Sequence, residues 1–151
     1  MKIKGFTLIE VLVVTAIVAI LIKIAIPHIR SYYQMYKYNS YVGQVEYVLK
    51  WSRLEAMSRS KNMGICVENN GVSVYDMGYS RSGFCSGTLV RRVDVDSGDN
   101  FVQISGTSGM GFDPRGLAIM GGNIQIRNGI RNECVRFNIQ TLRGSVRREN
   151  C

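Results

Sequence analysis

Residues 6–26 form an almost unbroken apolar run, and from Phe6 to Ile22 the one charged residue is Glu10. The run matches the ~20 residues a helix needs to cross about 30 Å of hydrocarbon. Beyond Pro27 the pattern becomes amphipathic. Tyr32, Tyr36, Tyr41, Val45, Val48 and Leu49 recur every three to four positions, and Trp51, Leu54, Ala56 and Met57 continue the series. That period predicts a helix with one apolar face. A single helix over residues 6–59 would be roughly 80 Å long at 1.5 Å per residue. Pro27 lacks an N–H and is expected to kink or loosen it. The N-terminal half is then expected to project from whatever the second half packs on.

From Gly64 the period drops to two. Short apolar-alternating runs at 64–67 and 72–75 flank Asn69-Asn70-Gly71, a hairpin turn signal. Further runs follow at 89–95, 101–104, 110–112, 117–120, 123–127, 135–139 and 145–147, with Asp113-Pro114-Arg115-Gly116 and Gly121-Gly122 as turns. Residues 79–86 read as a polar loop. The predicted class is α+β: a long N-terminal helix whose amphipathic half covers an antiparallel sheet.

Charge and cysteine content refine this picture. Lys2 and Lys4 precede the apolar run, which keeps the N-terminus cytoplasmic and sends the remainder across the membrane. Lys23 lies near the far end, where its stem reaches the headgroups. A cleaved secretory signal would have a shorter apolar core and a small-x-small site behind it; here the core runs on to Pro27. The formal charge of +8 permits binding to nucleic acid or an acidic surface without requiring it. The four cysteines contain no C-x-x-C pair, so zinc and redox motifs lack their spacing. In an exported domain an even count favours two disulfides. The expected pairs are Cys66 with Cys85 and Cys134 with Cys151, because both close short loops.

Gly5-Phe6-Thr7-Leu8-Ile9-Glu10, behind a short basic leader and ahead of Val11-Leu12-Val13-Val14, resembles the class III signal of type IV pilins and type II secretion pseudopilins. The C-terminal half is similar to the GspH/FimT (FimU-like) branch. Met110-Gly111-Phe112-Asp113-Pro114-Arg115-Gly116-Leu117-Ala118 carries that likeness, with Val135-Arg136-Phe137 and Arg143-Gly144-Ser145-Val146-Arg147. The resemblance implies a minor pilin or pseudopilin, a non-enzymatic subunit that initiates or caps a type IV pilus or secretion pseudopilus. It divides the chain into a leader (1–5), a transmembrane and polymerisation helix (6–27, with Pro27 as its loosening proline), an amphipathic continuation (28–60) and a β-rich head (61–151). It further implies cleavage by prepilin peptidase between Gly5 and Phe6, methylation of the Phe6 amine, and an inner-membrane protein with a periplasmic head. Its implied partners are other pilins and an inner-membrane assembly platform.

Glu10 can be read without the family. Its neighbours are apolar on every face, and a carboxylate at depth in a bilayer is costly and marks function by default. Cleavage creates one new cation, the Phe6 amine. A neighbouring subunit's amine, paired with Glu10, would fix helix register as a buried polar residue does in coiled coils. The competing reading places Glu10 at headgroup level.

The other candidates are weaker. Tyr32, Tyr33, Tyr36, Tyr38 and Tyr41 read as an interfacial belt plus packing. His28 is the only histidine, which excludes a histidine cluster or triad. Asp94, Asp96 and Asp99 lack the closing Glu of a calcium loop and read as a solvated turn. No catalytic, metal or cofactor pattern emerges. Arg127, Arg131, Arg136, Arg143, Arg147 and Arg148 face only Glu133 between 127 and 148. They support an alternative, DNA binding for natural transformation through Arg136, Arg143, Arg147 and Arg148. In the G-R-x-R element of DNA-receptor FimT pilins the first arginine stands where this chain has Ser145.

Overall fold

The computed structural model describes residues 7–141 and 143–151. Among these residues are one helix, α1 (Leu8–Arg59), and nine strands. They are β1 (Asn62–Glu68), β2 (Gly71–Gly78), β3 (Thr88–Asp94), β4 (Val102–Gly106), β5 (Met110–Phe112), β6 (Ala118–Met120), β7 (Gly122–Asn128), β8 (Glu133–Ile139) and β9 (Val146–Asn150). Two compact units result, residues 1–37 and 38–151. Gly5 and Phe6 lie outside the described residues. Helical structure continues through Pro27, although the ring leaves one carbonyl of the preceding turn without its helical donor.

The single expected sheet is in fact two. Sheet A has the order β3-β2-β1-β5-β6 and sheet B the order β4-β7-β8-β9. All pairings are antiparallel. Alternation along each strand predicts which face is buried but not which strands pair, and this is why two sheets read as one. Ile124 and Ile126 of β7, and Val135, Phe137 and Ile139 of β8, point into the core on that alternation. Sheet A contributes Met63, Ile65, Val72, Val74, Met110 and Phe112. The helix contributes Tyr38, Tyr41, Val42, Val45, Val48, Leu49 and Ala56, spaced to form one stripe. Leu54, apolar and in the same stretch, falls outside the stripe and is 59% exposed.

Asn70 links the two sheets. Asn69 and Asn70 both have positive φ (48° and 57°), as a two-residue hairpin turn between Glu68 and Gly71 requires. The Asn70 side chain then reaches β4. Its Nδ2 donates to the Val102 carbonyl at 3.1 Å, and its Oδ1 accepts from the Ile104 N–H.

Two disulfides close the loops. Cys66 on β1 bonds Cys85 of the loop before β3, with Cα atoms 5.1 Å apart. Gly64 lets that loop lie flat, since a Cβ there would meet the Phe84 carbonyl oxygen at 2.2 Å. Cys134 on β8 bonds Cys151 beyond β9, with Cα atoms 5.3 Å apart.

Candidate functional site

The N-terminal unit presents apolar side chains on every face. Val11, Leu12, Val13 and Val14 are consecutive and each about half exposed, and no residue of the most apolar stretch is buried within the protein. Four consecutive positions span more than a full turn, so this helix has no polar side to give to water. By length and composition the helix is apolar enough to cross a membrane.

Glu10 sits at the start of this surface, in the first turn of α1. Thr7 caps the helix: the Glu10 N–H points at the Thr7 carbonyl (3.1 Å) and the Thr7 Oγ1 (3.4 Å). Thr-x-x-Glu is half of a capping box, and a carboxylate in the first turn also suits the helix dipole. Glu10 therefore has a local role in starting the helix. Thr7 gave that signal in the sequence beside the functional one.

The tyrosines divide. Tyr32, Tyr33 and Tyr36 are exposed, whereas Tyr38 and Tyr41 are buried in the second unit. The Tyr38 hydroxyl donates to the Ile126 carbonyl at 3.3 Å. The Tyr41 hydroxyl donates to Asp99 Oδ2 at 2.7 Å and accepts from the Asp96 N–H at 3.0 Å. Asp99 is only 5% exposed, so the solvated-turn reading is corrected there. Its carboxylate anchors the loop before β4 onto the helix, while Asp94 pairs with Arg92 at the surface.

The turn between β5 and β6 is fixed by Asp113. Its Oδ1 accepts from the N–H groups of Arg115 and Leu117, both at 2.9 Å. Its Oδ2 accepts from Arg115 Nη2 at 2.9 Å. Burial pushes the Asp113 carboxyl upward, but the Leu117 and Arg115 N–H groups and the Arg115 guanidinium outweigh it and hold the group below its ordinary value. Three segments meet just beyond. Arg53 Nε on α1 donates to the Gly116 carbonyl at 2.8 Å. A Cβ on Gly144, in the loop before β9, would lie 2.1 Å from that same oxygen. Helix, turn and loop thus converge on one carbonyl. Sequence reading located the turn but not Arg53, whose spacing only places it on the helix.

Two family models cover this architecture. Residues 1–25 match the prokaryotic N-terminal methylation motif, and residues 43–142 match the type II transport protein GspH. The chain belongs to the GspH family of minor pilins and pseudopilins. It is 32% identical over 124 residues to a fimbrial protein of Pseudomonas aeruginosa, covering 82% of this chain and 77% of that protein. The fold is shared with the minor pseudopilin EpsH from the type 2 secretion system of Vibrio cholerae (TM-score 0.53, 12% identity, 72% of this chain and 92% of that one). It is shared as well with the Pseudomonas aeruginosa type IV minor pilin FimU (TM-score 0.55, 17% identity, 74% and 91%). The GspH match takes in Arg53, Asp113 and Gly116, while Gly144 lies just beyond it.

The basic residues divide between the two faces of sheet B, with Arg136 and Arg147 on the outer face and Arg148 on the other. Arg147 pairs with Asn138 and Arg148 with Phe137 across β8 and β9, and Phe137 is a core residue. Adjacent positions on a strand face opposite ways, so Arg148 lies on the helix side and meets Glu46 at 3.6 Å. Arg136 is on the outer face opposite Glu149; with the Gln125 amide oriented to accept, it donates to Gln125 from Nε at 3.2 Å and Nη2 at 3.0 Å. Arg143 is exposed in the preceding loop.

Proposed function

We propose that this chain is a minor subunit that initiates or caps a type IV pilus, inserted with its N-terminus cytoplasmic, cleaved after Gly5 and methylated on the Phe6 amine. The observation that carries the reading is the N-terminal unit itself, apolar on all faces with a carboxylate in its first turn. A bilayer satisfies the apolar surface, and so does a bundle of like helices. The carboxylate distinguishes the two. In lipid it has no cation, whereas in a filament core a neighbour's new Phe6 amine meets it. Leaving either charge buried and unpaired costs several kcal/mol, which penalises wrong register and uncleaved subunits. The fimbrial relative supports a pilus, and the likeness of fold to a pseudopilin keeps the secretion machine as the other member of the same class.

The test is Glu10→Leu in the full chain. Membrane insertion is expected to persist, while the chain disappears from sheared filaments. Wild-type levels of Glu10→Leu in filaments would overturn the pairing. The initiating role predicts fewer filaments of unchanged length when the chain is deleted, counted by electron microscopy.

A further inference from the structure

Tyr47 and Trp51 stand one turn apart on α1, on the same side of the helix. Arg91 of β3 lies over both. Its guanidinium carbon is 5.2 Å from the centre of the Tyr47 ring and 4.7 Å from that of Trp51. Ring contacts of this kind hold the flat guanidinium through its faces. A guanidinium carries five N–H donors in its plane, which a contact through its face leaves available. Among the described residues Arg91 has no carboxylate partner. The acid nearest along the strand is used elsewhere, since both Asp94 oxygens accept from Arg92 Nε at 2.7 Å. On the helix, Glu46 is paired with Lys50 and Arg148.

This arginine borders a shallow pocket of about 240 Å³ lined by Gln44, Tyr47, Val48, Arg91, Arg92 and Val93. Tyr47 is 55% exposed there. The pocket therefore places apolar side chains, an aromatic ring and a guanidinium side by side. A carboxylate is the group that a guanidinium fork takes in two parallel hydrogen bonds. The outer edge of β3 offers a poorer alternative. Its register with β2 steps from Val74↔Arg91 to Tyr75↔Leu89 and leaves Val90 unpaired. An irregularity of this kind twists an edge away from strand addition.

We propose that the Tyr47–Trp51–Arg91 shelf docks a carboxylate from an acidic segment of a neighbouring, different filament subunit. This rests on the filament reading above. A second copy of the chain is a poor occupant, because it carries the same excess of positive charge even without Lys2 and Lys4. Nucleic acid is disfavoured by local charge: phosphates need a track of cations, and here Arg92 is neutralised by Asp94 with Asp96 close behind.

Trp51 is the only tryptophan, so its fluorescence reads the shelf directly. The full chain in detergent micelles at low salt is titrated with a blocked Glu-Val-Glu peptide, its Gln-Val-Gln counterpart and a short oligothymidylate. The Glu peptide is expected to shift Trp51 emission saturably and the Gln peptide to leave it unchanged. Arg91→Gln should abolish the response. Arg91→Lys keeps the charge, loses the fork and is expected to bind about tenfold more weakly; this variant decides the matter if Arg91→Gln fails to fold by circular dichroism. No response to the Glu peptide, equal responses to both peptides, wild-type affinity in Arg91→Lys, or tighter binding of the oligothymidylate would each overturn the proposal. The readout needs no filament. Failure here leaves the Glu10 test standing, and failure of that test leaves this one interpretable.

Discussion

Replacing Asp113 by Ala removes the acceptor around which the β5–β6 turn is built. The Asp113 side chain is 4% exposed and serves two backbone donors and the Arg115 guanidinium, with the exposed Arg81 guanidinium at 4.0 Å. The Arg115 side chain is 73% exposed, so that ion pair contributes little. The two N–H groups dominate. A hydrogen bond to a charged acceptor contributes about 1.5 kcal/mol net, which puts Asp113→Ala at about 3 kcal/mol of destabilisation. For a head of this size the melting temperature should fall by ~12 °C. Asp113→Asn keeps an acceptor oxygen without the charge and should lose about half as much. The sign with pH follows from the lowered carboxyl. A group depressed in the folded state stabilises fully above its unfolded value of about 3.9, and the contribution fades as pH falls through the folded value. The gap between wild type and Asp113→Asn should therefore close in acid. The lowered Asp76 carboxyl acts on both proteins alike and cancels in the difference. Thermal melts of the full chain in detergent, followed by near-ultraviolet circular dichroism from neutral pH downward, measure both quantities. A loss under about 1 kcal/mol for Asp113→Ala, or a gap that widens in acid, would refute the reasoning.

Three further outcomes are expected. Gly144→Ala, at φ 60° with the Gly116 oxygen in the way, should cost about 3 kcal/mol, while Gly43→Ala, on the helix with open space around it, should stabilise by up to ~1 kcal/mol; urea midpoints distinguish them. Tyr41→Phe removes the hydroxyl that bonds Asp99 and the Asp96 N–H, and a loss of about 1–3 kcal/mol, with faster amide exchange in the 95–101 loop by NMR, is the expected result.

The helix was legible because its residues repeat one short-range rule, apolar throughout and then apolar every third or fourth position. The hairpin at Asn69 and Asn70 was legible for a similar reason, since the left-handed conformation of both residues is a local property. Sheet membership was not. Nothing near Val102 says that β4 joins β7 rather than β3, because its partner residues at 124–128 lie far along the chain. The same limit hid Asp99, whose burial depends on a helix residue 58 positions away. Of the candidate site, Glu10 stood out by contrast with its neighbours. Among the arginines at 136, 147 and 148, one-dimensional proximity does not record that alternate strand residues face opposite ways, which leaves Arg136 and Arg147 on the outer face and turns Arg148 to the other.

The two disulfides also bear on how the chain acquires its bonds. They are consecutive along the chain, neither nested nor crossed: Cys66 with Cys85, then Cys134 with Cys151. A chain that emerges N-terminus first presents Cys85 to Cys66 before either later cysteine exists to compete. Simple order of arrival then selects the native pairing, and oxidation needs no subsequent shuffling to reach it.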